Sequence, residues 1–511
     1  MSERFRAVDR ETLYLLPPSV QDWLPEKHLA RFVVEVVSKL DLHELKMPYT
    51  GRGSKAFNPE RLLALLFYGY ATGTFSSRKL EQATYDSLAF RYIAANTHPD
   101  HDTIATFRKR FLKQLKPLFV QILVLAKTLG FLKLGKISLD GSKIQANASK
   151  HSALSWGHAT ELEEQLKAEV ARLMEMAAAA DVETPEGMDI PEELARREDR
   201  LKAIGEAKAK LEQRAAERYA AEQAEHEAKL AKRDTRPKQR QGPKPKAPEP
   251  GVRKTDQINL TDEESRIMPA RGKSFQQAYN VQAGVDTESM LIVTEHVTAH
   301  ANDKQEVDPT LKALKDLEAP LGRVEAVLGD TGYYSAHNVA ACERAGLTPP
   351  YIAAGREPHH LPVEQRWTEP PPPSGEVDPV EAMKHRLLTL EGRAIYAQRK
   401  STVEPVFGIV KSVMGFRQFH LRGLDAASGE WTLVSIAWNL KRLFNLGQQP
   451  LPAHGPRPHA PNRLENNGSP PPRRPAETQL NSHWALFLRM TSTMFNHSLL
   501  KLYLQPSPTG C

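Results

Sequence analysis

The sequence predicts a mixed α/β domain, preceded by an all-α segment and interrupted by one large helical insertion. Three observations carry this reading. Residues 1–125 place apolar side chains at helical spacing; short alternating runs, two of them ending on an aspartate, occur at residues 131–148 and again from 278; and a long stretch of Ala, Glu, Lys and Arg separates them.

In the N-terminal segment, Leu29, Phe32, Val33, Val36, Val37 and Leu40 fall on one helical face. Residues 59–71 are apolar nearly all round, which predicts a buried helix. Ser76-Ser77 precedes a further helix, and Asp102 opens another after the turn at His98-Pro99-Asp100. Short capped helices with exposed Arg and Lys suit either a helix-turn-helix DNA reader or a packing and pairing surface. Ile137 and Leu139 then alternate with polar neighbours, predicting a strand that ends at Asp140. In the insertion, Leu162, Leu166, Val170 and Leu173 form one stripe and Leu194, Leu201, Ile204 and Leu211 another, which predicts an antiparallel, coiled-coil-like hairpin. The Pro- and Lys-rich segment 236–250 follows as an extended linker. Two strands at 278–286 and 290–297, a helix from 309 to 317, and a strand over 324–328 running into Asp330 complete the pattern, with a helix near 336–345 and a short strand at 351–353. The expected organisation is 1–125 helical, 126–157 and 257–446 as two parts of one catalytic domain, 158–256 as the insertion, and 447–511 as a Pro-rich tail.

The net charge is +7, and it is clustered. Residues 232–254 carry nine Lys/Arg against two acids, and residues 384–422 carry eight against two. Clustered positive charge is the footprint of a polyanion, most often nucleic acid; for the first cluster a solvated basic linker is an equal alternative. Two cysteines give no metal-ligand spacing or disulfide framework, as expected in a reducing cytoplasm. The start of the chain has no apolar signal core and no apolar run reaches ~18 residues, so a membrane protein is not expected.

Asp140 and Asp330, each at the expected end of a strand, can share hard divalent cations if the strands are neighbours. Glu404 is the third candidate. Ser401-x-x-Glu404 with Pro405 also reads as a capping box at a helix start, so both roles stay open for it. Three carboxylates holding two ions ~3.5–4 Å apart would flank one phosphodiester, one ion at the attacking oxygen and one at the leaving oxygen. Asp262, Asp286, Asp303 and Glu343 compete for the same role.

At these residues the sequence resembles the DDE transposases of bacterial insertion sequences. The resemblance spans about residues 12–445 and rests on ordered blocks: Leu16-Pro17-Pro18, Phe57-Asn58-Pro59, Ser76 to Glu81, Asp100 to Ile104, Asp140-Gly141-Ser142-Lys143, Tyr279-Asn280-Val281-Gln282, Asp330-Thr331-Gly332-Tyr333 and Glu404-Pro405-Val406-Phe407-Gly408. It implies an RNase H-like mixed sheet with helices on both faces, and Asp140, Asp330 and Glu404 as catalytic metal ligands for Mg²⁺ (two ions, Mn²⁺ substituting). The family's Tyr-x2-Arg-x3-Glu-x6-Lys signature is matched by Lys411, whereas Arg399 stands one residue too far from Glu404 and Lys400 takes the arginine position. Lys400, Lys411, Arg399 and Arg422 are accordingly expected on DNA. Tyr333 is expected either to stack on a distorted base or to pack beneath the site.

The implied function is cleavage and strand transfer at the terminal inverted repeats of the chain's own element, as a homodimer on double-stranded DNA in the bacterial nucleoid. A nuclease that cuts without joining, and a non-catalytic DNA-binding descendant, are the rival expectations.

Overall fold

The computed structural model describes residues 19–49, 56–178, 189–234, 244–270, 272, 274–346, 350–355, 367–373 and 377–448. The Leu16-Pro17-Pro18 block, residues 235–243 of the basic linker and the tail from 449 onward lie outside them.

The N-terminal segment is helical: α1 (Leu29–Lys39), α2 (Pro59–Thr72), α3 (Ser77–Asp86), α4 (His101–Arg110) and α5 (Leu115–Thr128) are its main elements. Local chemistry sets their ends. Asn58 caps α2 by accepting the Glu60 N–H at 2.8 Å, Pro59 occupies the first turn, and Gly73, at φ 84°, ends the helix in a left-handed conformation. Asp100, rather than Asp102, caps α4 through the Thr103 N–H at 2.7 Å. As the composition predicts, every residue from Leu62 to Ala71 is buried.

The sheet comprises β1 (Lys136–Gln145), β2 (Arg266–Pro269), β3 (Phe275–Asp286), β4 (Ile292–Thr298), β5 (Ala326–Gly329) and β6 (Pro350–Ile352). β4 and β2 both pair with β3, which lies antiparallel to β1; β1 is parallel to β5, and β5 to β6. The main path is therefore β4–β3–β1–β5–β6. Helices α8 (Val307–Asp316) and α9 (Ala336–Arg344) follow β4 and β5, then α10 (Pro379–Leu388), α11 (Leu390–Ser412) and α12 (Leu424–Gln448).

Between β1 and β2 runs a helical hairpin, α6 (Trp156–Ala178) and α7 (Ile190–Asp234). Its helices are antiparallel, since Glu163 meets Lys208 at 2.7 Å while Glu169 meets Arg197 at 2.7 Å. Leu166 and Ile204 are buried between them, with Leu162 and Leu201 alongside. Its neck is a two-stranded pair, Ala153–Ser155 against Gln257–Asn259.

α12 joins the parts. It is buried nearly all round. Asn439 accepts the Ile292 N–H and donates to its C=O, each at 2.8 Å, while Lys441 donates to the Ala71 carbonyl at 3.1 Å. The N-terminal helices and the sheet consequently share one apolar core. Among the described residues no helix is long and apolar enough to cross a membrane.

Candidate active site

Asp140 does not end its strand, as the alternation pattern predicts; it sits at the middle of ten-residue β1. The antiparallel ladder with β3 carries β1 on past it, from Gly141↔Gln282 to Gln145↔Ala278, so the partner strand sustains pairing where the apolar pattern stops. The parallel pairing with β5 does end nearby, at Ser138↔Leu328. Extending that register by two residues (138 + 2 and 328 + 2) sets Asp140 beside Asp330. Asp330 follows β5 directly and caps a 3₁₀ turn, Thr331–Tyr333, by accepting the Gly332 N–H at 2.8 Å.

Glu404 comes from α11. The capping-box reading of Ser401 and Glu404 is overturned. α11 starts eleven residues earlier, capped by Thr389, and runs unbroken through Pro405. Pro405 removes a helical donor, and burial of Val403, Val406, Phe407 and Val410 keeps the helix in place against the sheet. The Ser401 and Thr402 hydroxyls donate back to the Gln398 carbonyl at 3.0 and 2.6 Å. Lys411 clips the same helix to β1, donating to Ser142 Oγ at 2.5 Å and to the Lys143 carbonyl at 3.1 Å.

One guanidinium gathers the three acids. Arg399 Nη1 lies 3.0 Å from Glu404 Oε1, and Nη2 lies 3.6 Å from Asp140 and 3.5 Å from Asp330. Its side chain is only 11% exposed, and its buried Nε has no partner among the described residues. Arg399, expected on DNA, is thus turned into the carboxylate cluster, its long stem letting one head group reach all three acids. As they stand, no three acidic, His or Cys side chains among the described residues are grouped closely enough to hold an ion. The donor set itself, three carboxylates without nitrogen or sulfur, suits a hard cation such as Mg²⁺.

Tyr333 also departs from one of its expected roles. Its ring is 1% exposed and its hydroxyl donates to Gln282 Oε1, so it has no face free for a base. The reason is a polar cluster around Asp303, beside the three acids. Asp303 Oδ1 accepts from Gln282 Nε2 and Asn280 Nδ2, each at 2.7 Å, and from Lys143 Nζ at 3.4 Å. Gly141 makes room for it: a Cβ there would meet Gln282 Nε2 at 2.4 Å and Asp303 Oδ1 at 2.5 Å. Asn280 and Gln282, polar residues two apart among Tyr279, Val281 and Ala283, are the sequence signal for this cluster.

Lys400 is exposed on α11, and Arg422 is exposed, with Nε donating to the Asn147 carbonyl at 3.1 Å. Of the competing acids, Asp303 lies beside the site, one oxygen facing Gly332 next to Asp330 and its charge adding to the rise of the Asp140 carboxyl, and the other three are placed elsewhere. Asp286 holds Ser289 in a turn, Asp262 accepts the Tyr279 hydroxyl at 2.7 Å, and Glu343 lies on α9.

Burial pushes the Asp140 carboxyl up to about 6 from its ordinary 3.8, with Arg399 opposing and the Asp330 charge adding to the rise. A folded value above the unfolded one means that stability falls as pH rises through that window, and the penalty is complete above it. Asp140→Asn is therefore expected to stabilise the metal-free protein by about 1–3 kcal/mol at pH 7, with the gain vanishing near pH 4. Urea unfolding in chelator at both pH values measures this; equal stability of variant and wild type at pH 7 counts against it.

Two family models match the chain: a transposase domain (DUF772) over residues 18–110, and a transposase DDE domain over residues 246–440. Asp330 and Glu404 lie inside the second span, and Asp140 lies between the two. No curated protein and no solved structure matches.

Proposed function

Because the chain belongs to the DDE transposases, we propose that it cleaves phosphodiester bonds at the ends of its own insertion sequence and joins the freed 3′-hydroxyls to target DNA. Asp140, Asp330 and Glu404 are the residues that would hold the divalent ions. Bound Mg²⁺ or Mn²⁺ supplies charge stabilisation at the attacking and leaving oxygens. The observation that carries this reading is the convergence of one carboxylate from β1, one from the turn after β5 and one from α11 on a single guanidinium within 3.0–3.6 Å.

The sheet path β4–β3–β1–β5–β6, with the first three strands antiparallel and the last two parallel to β1, supports an RNase H-like reading of the fold. The chain's own groups then have distinct tasks. Lys400, exposed one turn from Glu404, takes a backbone phosphate as a point charge. Lys411 fixes Glu404 over β1 by holding α11 to Ser142 and Lys143. Arg422 adds a second phosphate contact beyond the end of β1. Two ends have to be processed together, so a homodimer assembled on DNA is the working form.

The test is excision from a plasmid carrying the element's ends around a marker, comparing wild type with Asp330→Ala. The several kcal/mol that a metal ion contributes correspond to a fall in excision of about 10³-fold or more, with end binding retained. If both proteins bind the ends and neither cuts in Mg²⁺ or Mn²⁺, the chain is a DNA-binding remnant. Cleavage without joining of the released ends identifies a nuclease instead.

A further inference from the structure

We infer that Arg399 is a resident counter-ion, which holds Asp140, Asp330 and Glu404 together without a metal and competes with divalent cations for the same oxygens. The inference rests on the assignment of those three acids as metal ligands.

The geometry is specific. Each acid places one oxygen 3.0–3.6 Å from a terminal nitrogen of the same guanidinium. The head group is largely shielded from water, and its buried Nε has no partner among the described residues. Three carboxylates brought together without a cation repel one another, most strongly at Asp140, the least exposed of the three. The guanidinium removes that repulsion by spreading one charge over several N–H donors.

The same arrangement opposes metal loading. Mg²⁺ draws its oxygen ligands in to ~2.0–2.1 Å, whereas oxygens spread around a planar guanidinium stand farther apart, consistent with the lack of any ready three-ligand group among the described residues. A cation can enter only as the guanidinium withdraws. Its long stem permits this without moving α11, and Lys400, exposed on the same turn, leaves the phosphate contact independent of it. Every unit of cation affinity is therefore reduced by the contacts that Arg399 gives up.

The test is Mn²⁺ titration of the full chain without DNA, reading free Mn²⁺ by electron paramagnetic resonance, with melting temperature followed in parallel. Arg399→Gln is expected to bind Mn²⁺ about tenfold or more tighter than wild type, because the competing charge is gone. Arg399→Lys, a compact cation that contacts one acid at a time, is expected between the two, about threefold tighter. In chelator both variants melt below wild type, and Mn²⁺ raises their melting temperatures more than it raises that of wild type. Should Arg399→Gln not fold in chelator, the Arg399→Lys titration alone decides. Affinity equal to or weaker than wild type in the folded variants overturns the inference, provided that Asp330→Ala abolishes Mn²⁺ binding. If wild type binds no Mn²⁺, or Asp330→Ala binds it as well as wild type, the metal assignment itself fails, and the inference with it.

Discussion

Replacing Glu430 with alanine is expected to cost about 3–5 kcal/mol of stability, the loss typical of breaking a buried charged network from one side. Glu430 is fully buried in α12. One of its oxygens accepts from the Tyr70 hydroxyl at 2.7 Å and from His420 Nδ1 at 3.2 Å; the other accepts the backbone N–H groups of His420 and Leu421 at 2.9 and 3.0 Å. Arg108 donates to the Tyr70 oxygen at 3.0 Å and to the Phe75 carbonyl at 2.8 Å. Alanine would leave a buried tyrosine hydroxyl and two half-buried backbone donors without partners, beside a buried guanidinium. Burial pushes the Glu430 carboxyl up, but the His420 and Tyr70 hydrogen bonds and the Arg108 charge outweigh it and hold it below its ordinary range. The stabilisation it provides is present above its unfolded value of 4.5 and is lost as pH falls through the lower folded value. The gap between wild type and Glu430→Ala should therefore narrow in acid. Urea unfolding at pH 7 and in acid measures it, and a difference under about 1 kcal/mol at pH 7 would show that the network contributes little.

The second large effect is expected at Gly141. Alanine there collides with Gln282 Nε2 and Asp303 Oδ1, and neither can simply swing away. Gln282 is held on one side by Asp303 and on the other by Tyr333, while Asp303 is held by Asn280 as well. The displacement passes to β1 at the residue after Asp140, and through Tyr333 to the turn that begins at Asp330. Misplacing reacting groups by about 1 Å costs on the order of 10²-fold in rate, so excision by Gly141→Ala should fall by about that factor, while urea unfolding changes by no more than about 1–3 kcal/mol. Excision near the wild-type level would mean that the polar cluster does not position the aspartates.

The sequence and the structure agree where a residue's own neighbours decide its state. The apolar run before Asp330 ends in Gly329-Asp330 and needs no distant partner to be read as a strand entering a turn. The all-apolar stretch of α2 is buried because no other placement satisfies it. They part where a distant partner decides. Gly141, Ser142 and Lys143 carry no strand pattern, yet they extend β1 because twelve-residue β3 lies alongside. Ser401 and Pro405 look like a helix start, but the buried face of α11 carries the helix through them. Arg399 stands five residues before Glu404, ~7.5 Å along the axis, and only side-chain length and local charge bring their heads together. Glu430 gives no signal, since an acid in a helix ordinarily marks its wet side, whereas here every residue from Gly429 to Leu440 is buried.

The neck of the insertion has a mechanical meaning. Leu154 and Ile258 face each other across it, so the 101 residues from 156 to 256 depart and return at adjoining points. The hairpin attaches to the sheet domain through this neck and through Lys210 and Arg214, which both donate to Glu263. Its second helix, 45 residues long, spans ~68 Å. At the neck, Asn259 donates to the Ser149 carbonyl at 2.7 Å, four residues past the end of β1, and Asn147 in between donates to the His420 carbonyl at 2.8 Å. The neck grips that helix near its middle, where Leu211 packs on Ile258 and Arg218 donates to Asp256, so a load on the helix is levered onto the residues that follow the strand of Asp140.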